Sequence, residues 1–197
     1  MKSESPLFTV IIPCKNRASY LHHTLRTCMM QNYDNMEVLV SDDGSTDNTR
    51  EVVEEASRLD SRIHYLMPGS GTGMSHKFEY VLRHVKPGDV IALGGDDGLM
   101  PHGIKGMHDT LQETGMELLA WPAPTYIFPD VNGPDGQLSI RCFKGTKIID
   151  SHQYLSRQAK NLHYISDFES PMFYVKGVAS TKLIDRVRNR SVDGGFY

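Results

Sequence analysis

Two pairs of adjacent carboxylates mark this chain: Asp42-Asp43, opening the run Asp42-Asp43-Gly44-Ser45-Thr46-Asp47, and Asp96-Asp97, closing Gly94-Gly95-Asp96-Asp97. Each follows an apolar run with strand character, Met36–Ser41 before the first and Val90–Leu93 before the second. In an open α/β sheet the C-terminal strand ends line the ligand crevice. Carboxylates gathered there repel one another unless a cation, a sugar hydroxyl or a base N–H meets them. The chemistry they suit is a metal-assisted nucleotide site, with Mg²⁺ or Mn²⁺ taking carboxylate, diphosphate and water oxygens. As a plain strand-to-helix turn, the first run has one Asp more than a cap requires. Gly94 and Gly95 allow a ligand to approach the backbone closely, where a bare turn before Pro101 would have no need of it.

The elements that must position these groups are legible in outline. Phe8–Pro13 reads as a buried parallel strand, and Tyr20, Leu21, Thr24, Leu25, Cys28 and Met29 recur at helical spacing over about Ala18–Met30. Met36–Ser41, Ile63–Met67 and Asp89–Gly94 are further strands. Helices are expected after residue 48, over Ser75–Val85 and over Gly103–Thr114, with a fifth strand at Glu117–Trp121. Ser45 or Asn48 is placed to cap the second helix, with Glu51 completing a box from Asn48. Strands alternating with helices predict right-handed βαβ units and a mostly parallel sheet. After Trp121 the chain becomes rich in Pro and Gly. Short β-like pieces at Thr125–Phe128 and Leu138–Phe143 suggest a hairpin or flap leaving the sheet. A helix near Ser151–Lys160, a strand near Met172–Val175 and a helix near Thr181–Arg188 follow. One domain is expected over 1–197, a nucleotide-binding half at 1–121 and the start of an acceptor-side half at 122–197.

Composition narrows the classes. The 197 residues are 39% hydrophobic and 23% charged with net charge -3, an ordinary globular balance. No Lys/Arg run is long enough for a nucleic-acid footprint, and no apolar run approaches a membrane span. Cys14, Cys28 and Cys142 lack metal or disulfide spacing and fit free thiols in a reducing compartment. Gly69-x-Gly71-x-Gly73 is neither the dinucleotide fingerprint nor a phosphate-binding P-loop, and reads as a flexible loop. An EF-hand is excluded, because the twelfth position from Asp42 is Val53. The nine histidines show no zinc spacing. Lys77, with His76 at a helix start beside the Gly-rich loop, is either a phosphate contact or a solvated residue.

In order along the chain stand Val10-Ile11-Ile12-Pro13-Cys14-Lys15-Asn16-Arg17, then Val40-Ser41-Asp42-Asp43-Gly44-Ser45-Thr46-Asp47, Met74-Ser75-His76-Lys77-Phe78-Glu79 and Gly88–Asp97. This set closely resembles glycosyltransferase family 2, inverting enzymes of GT-A fold, over roughly the first half of the chain. The resemblance implies a nucleotide-sugar donor, most often a UDP-sugar, and a glycan, lipid-linked or other hydroxyl acceptor. It implies that the turn holding Pro13, Asn16 and Arg17 lines the nucleoside pocket, that Asp42 meets the base and that Asp43 lies beside it. The family's D-x-D motif falls on Gly94-Gly95-Asp96, so its first Asp is replaced by Gly94. Asp96 and Asp97 remain as the expected metal ligands. A catalytic carboxylate is expected shortly after Gly194-Gly195-Phe196, beyond Tyr197, so the general base is assigned to no residue and the chain is expected to be a truncated piece.

The reading is therefore the donor-binding part of a metal-assisted inverting glycosyltransferase with Mn²⁺ or Mg²⁺. It is expected in the cytoplasm, with a place at the cytoplasmic membrane face and homo-oligomerisation left open. The rivals are a nucleotidyltransferase, which would carry a basic Gly-rich loop near the first strand, and a non-catalytic nucleotide-binding module.

Overall fold

Phe8, Val10, Ile11, Ile12 and Cys14 are all buried on both faces of one strand, so β1 (Leu7–Cys14) must lie inside a sheet covered by helices on each side. The computed structural model describes residues 6–69, 73–122, 125–127, 137–139, 148 and 175–193. After β1 come α1 (Ala18–Met29), β2 (Met36–Asp42), α2 (Thr49–Leu59), β3 (Ile63–Leu66) and α3 (Gly73–Leu82). Then follow β4 (Gly88–Ala92), α4 (Gly103–Thr114), β5 (Leu118–Pro122), β6 (Thr125–Ile127), β7 (Gln137–Ser139), β8 (Val175–Ser180) and α5 (Thr181–Asp193).

The six-stranded sheet runs β3-β2-β1-β4-β8-β5. β1 pairs in parallel with β2 and β4, and β2 with β3, while β8 runs antiparallel to β4. The sheet is thus the expected mostly parallel, helix-flanked α/β architecture. On one face Ile11, Leu39 and Val90 cluster with Val81 of α3, joined by Leu66, Phe78, Val85 and Ile184. α1 buries Ala18, Leu21, Thr24, Leu25 and Cys28, the i, i+3, i+4, i+7 pattern of a helix docked by one stripe. α2 does the same with Thr49, Val53 and Ala56.

The chain divides into two compact units, 1–119 with 177–197, and 120–176. The first carries β1 to β4 and α1 to α5. In the second, β6 and β7 pair antiparallel, while the residues joining them lie outside those described.

Several boundaries differ from expectation. β4 ends at Ala92, short of Gly94, because the chain turns to place Gly94 to Asp97 beyond the sheet. Among the described residues the last strand is Val175–Ser180, with Val178, Ala179 and Ser180 paired to β4, and Met172–Tyr174 of the strand expected near Met172–Val175 lie outside them. α3 spans Gly73–Leu82 and α5 reaches Asp193. The helix expected at Ser151–Lys160, Cys142 and Gly194–Tyr197 lie outside the described residues.

Candidate functional site

The chain passes from β1 to β2 and on to β3 on one side, then crosses back so that β4 lies on the other side of β1. In open α/β sheets such a reversal marks where ligands bind, beyond the C-terminal strand ends, here those of β1 and β4. The turn after β1 therefore lies between the two carboxylate pairs. Its Cys14 carbonyl accepts the Asp43 N–H at 3.2 Å, tying it to the β2 end. On the other side, a Cβ placed on Gly95 would touch Cys14 Cβ, Arg17 Cβ and Arg17 Cγ, each at 3.5 Å. The three strand ends are thus in contact through this turn.

Asp42 and Asp43 are 1% and 4% exposed, yet they sit at a strand end where carboxylates are usually solvated. Buried carboxylates need donors. Asp42 Oδ1 accepts from the Ser45 N–H at 3.1 Å and the Ser45 hydroxyl at 2.5 Å, and Oδ2 accepts from the Tyr65 phenol at 2.7 Å. Gly44 makes the intervening turn at φ 69°, a left-handed conformation that a side chain disfavours. Asp43 Oδ2 faces Lys15 Nζ at 3.5 Å. Burial, and secondly the hydrogen bond to Asp42, push the Tyr65 phenol above its ordinary pKa, so it stays a donor at any physiological pH. Arg50 of α2 lies over the Tyr65 ring, its Cζ 5.6 Å from the centroid.

Asn16 is exposed and adopts φ 51°, a conformation Asn tolerates. Its N–H donates to Ser45 Oγ at 2.8 Å and its Oδ1 accepts the Thr46 N–H at 2.8 Å. Asn16 therefore clips the β1 turn to the Asp-Asp-Gly-Ser turn.

The expected Asn48–Glu51 capping box is not formed. Asn48 is the N-cap residue of α2 but makes no side-chain cap bond. Asp47 takes the role instead, its Oδ1 accepting the Thr49 N–H at 3.1 Å and the Thr49 hydroxyl at 2.6 Å. Its other oxygen accepts the Ala18 N–H at 3.2 Å, and Thr49 Oγ1 accepts the Arg17 N–H at 3.1 Å. One carboxylate thus serves the starts of both α1 and α2. Those hydrogen bonds, led by Thr49, hold its carboxyl below the usual range. Ser45 does not cap the helix, because its hydroxyl is held between Asp42 and Asn16.

Beyond β4, Asp97 Oδ2 accepts the Gly94 N–H at 3.1 Å, and the Asp97 N–H returns to the Gly94 carbonyl at 3.1 Å. Thr24 of α1 donates to the Gly95 carbonyl at 3.1 Å and fixes the turn from below. A Cβ on Gly94 would fall 2.6 Å from Asp97 Oδ2 and 3.0 Å from Asp96 Oδ1. Both carboxylates therefore turn oxygen toward one small volume. An Asp at position 94, as in the family's motif, would collide with them. The donor set suits a hard cation that takes one or two carboxylates and completes its shell with ligand phosphates and water. Among the described residues no group of three or more His, Cys, Asp or Glu forms a closed metal cage.

The structure brings Pro13, Asn16, Arg17, Asp42, Asp43, Asp96 and Asp97 to one edge of the sheet, on strand ends that touch. Asp96 is exposed there. The Lys77 side chain lies outside the described residues. Tyr65 carries a part of the site that motif reading passes over, and Ser45 and Asp47, inside the first motif, make contacts across to the β1 turn. The signal for Tyr65 is its register: it stands opposite Val40, two residues before Asp42, on the same face. Cys14 and Cys28 are buried and unbridged, and burial pushes the Cys28 thiol up to about 12, so it packs as a small hydrophobe.

Residues 9–168 match the family model described as glycosyl transferase family 2, and the chain belongs to that family. An uncharacterized glycosyltransferase of Rickettsia felis is 30% identical over 178 residues, 85% of this chain and 29% of that protein. The GalNAc(5)-diNAcBac-PP-undecaprenol beta-1,3-glucosyltransferase of Campylobacter jejuni is 36% identical over 62 residues, 32% of this chain and 20% of that one. The structure of S. aureus TarS 1-349 superposes with a TM-score of 0.51 at 23% identity, covering 57% of this chain and 34% of that one, which supports the GT-A fold. The chain spans about a third of the length of the curated relatives it matches, between 29% and 38% for four of them. No helix among the described residues is long and apolar enough to cross a membrane.

Proposed function

We propose that this chain forms the donor-binding part of an inverting glycosyltransferase that takes a UDP-sugar with Mn²⁺ or Mg²⁺. The observation that carries the reading is the reversal of strand order, with a buried, donor-held Asp42-Asp43 pair on one side and Asp96-Asp97 on the other. Asp42, held ready as an acceptor, receives a base N–H. Uracil offers one at N3, whereas cytosine presents an acceptor at that position. Pro13 and Asn16 form the wall of the nucleoside pocket. Arg17, whose stem passes Gly95, reaches toward the diphosphate, and Lys77 is a second candidate for that charge. Asp96 and Asp97 hold the cation, which supplies neutralisation of the charge that builds on the diphosphate leaving group. The acceptor hydroxyl needs a general base for in-line attack at the anomeric carbon. No described residue is assigned to that task. The name of the C. jejuni relative favours a lipid-linked acceptor and the family a hydroxyl of some glycan.

Calorimetry with UDP, GDP, CDP and TDP, with and without EDTA, tests this. UDP should bind best and lose most of its affinity with EDTA. Absence of binding by every nucleotide to the folded protein would falsify the proposal.

A further inference from the structure

We propose that Tyr65 is a positioning residue that sets base selectivity at the donor site, by holding Asp42 as a fixed acceptor. The inference rests on the donor reading above and extends it to a residue on the edge strand β3, outside every motif of the chain.

Asp42 can be counted atom by atom. An ionised carboxylate offers about four acceptor positions over its two oxygens. Oδ1 receives two donors, both from Ser45, and Oδ2 receives one, from Tyr65. The remaining capacity lies on Oδ2, beside the Tyr65 phenol. The phenol spends its hydrogen on Asp42, so it too turns lone pairs toward any newcomer. A ligand atom at Oδ2 and the phenol oxygen meets two acceptors. An N–H is rewarded there, and a ring nitrogen with a lone pair is opposed.

Three features make Tyr65 suited to this. Its register opposite Val40 brings the ring onto the face of β2 that carries Asp42. Arg50 lies over the ring, its Cζ 5.6 Å from the centroid, a cation–π contact on the ring face. Ser45, the other donor to Asp42, is itself held by Asn16, so the carboxylate is fixed from both sides. Without the phenol hydroxyl, water takes its place at Oδ2. A bridging water can present either a hydrogen or a lone pair to a base. Selectivity should then fall more than affinity does.

The test compares UDP and CDP binding by calorimetry in Mn²⁺ for the wild-type chain and two isosteres. Tyr65→Phe keeps the ring under Arg50 and removes the donor. Replacement of Tyr65 by p-aminophenylalanine keeps a donor at the same place. The wild type should prefer UDP by about ten- to a hundredfold, the range expected when a desolvated acceptor is left facing another acceptor. Tyr65→Phe should bring that ratio within about threefold of unity while UDP affinity falls no more than about tenfold, as for loss of one hydrogen bond. The amino variant should restore the ratio. A purely structural Tyr65 would lower both affinities together and leave the ratio intact, and that result overturns the inference. So does a Tyr65→Phe chain with wild-type selectivity, or loss of selectivity in both isosteres. Failure of the wild type to bind any nucleotide is the different result that removes the donor reading itself.

Discussion

Asp96 and Asp47 are both exposed aspartates in turns that follow strands, yet their substitutions should diverge. Asp96→Ala removes a carboxylate oxygen from the space it shares with Asp97, so cation-dependent UDP binding should fall by at least ~10-fold, as when a charged ligand contact is lost. Asp47→Ala should leave UDP affinity within about twofold and cost about 1–2 kcal/mol of stability, the cost of a helix cap. Calorimetry and urea unfolding read the two effects separately. Equal losses of binding would mean that the cation lies elsewhere. Gly94→Ala should behave like a milder Asp96→Ala, because the added methyl displaces both carboxylates. The carboxylate pairs were legible in the sequence because Asp42-Asp43 closes one apolar run and Asp96-Asp97 follows another after two glycines. Tyr65 was not, since its role depends on β3 lying beside β2 in a register that no local spacing encodes. The capping role of Asp47 was legible from its place before the second helix, but its second partner, the Ala18 N–H, was not, because that group belongs to a different helix start.

At the scale of elements, the loop into β3 is held by one charged cluster. Arg62 donates to both oxygens of Asp60, to the Tyr33 carbonyl at 3.2 Å and to the Met29 carbonyl at 3.2 Å. It thereby closes the C-terminal end of α1 onto the start of β3. Arg62→Ala should cost about 2–3 kcal/mol, the scale of charge-assisted hydrogen bonds lost from a half-buried place. The hydrogen bond from Arg62 holds the Asp60 carboxyl below its ordinary value. A folded pKa below the unfolded one means stability that is present above the unfolded value and lost as pH falls through the folded one. Asp60→Asn should therefore flatten the loss of stability below about pH 4, the ordinary carboxylate range. Chemical denaturation at pH 3 and pH 7 measures it, and an unchanged slope would contradict the assignment. The alternation of strands and helices up to Trp121 was readable from periodicity, because each element buries one stripe or one continuous run. The extension of the last strand to Ser180 was not readable, since Val178, Ala179 and Ser180 pair with β4 across a long sequence separation.

For the whole molecule, a ligand that binds only the folded chain must stabilise it. UDP with Mn²⁺ at about a hundred times its dissociation constant should add about 2.7 kcal/mol. The thermal midpoint should rise with UDP and Mn²⁺ together and much less with either alone. Equal shifts from Mn²⁺ alone would place the cation in a site independent of nucleotide. The most direct measurement is a crystal structure of the chain with UDP and Mn²⁺, using the anomalous signal of manganese. The account predicts one manganese peak against Asp96 and Asp97, with uracil N3 facing Asp42 Oδ2 beside Tyr65. A peak away from the β4 turn, or uracil away from the C-terminal ends of β1 and β4, would contradict it.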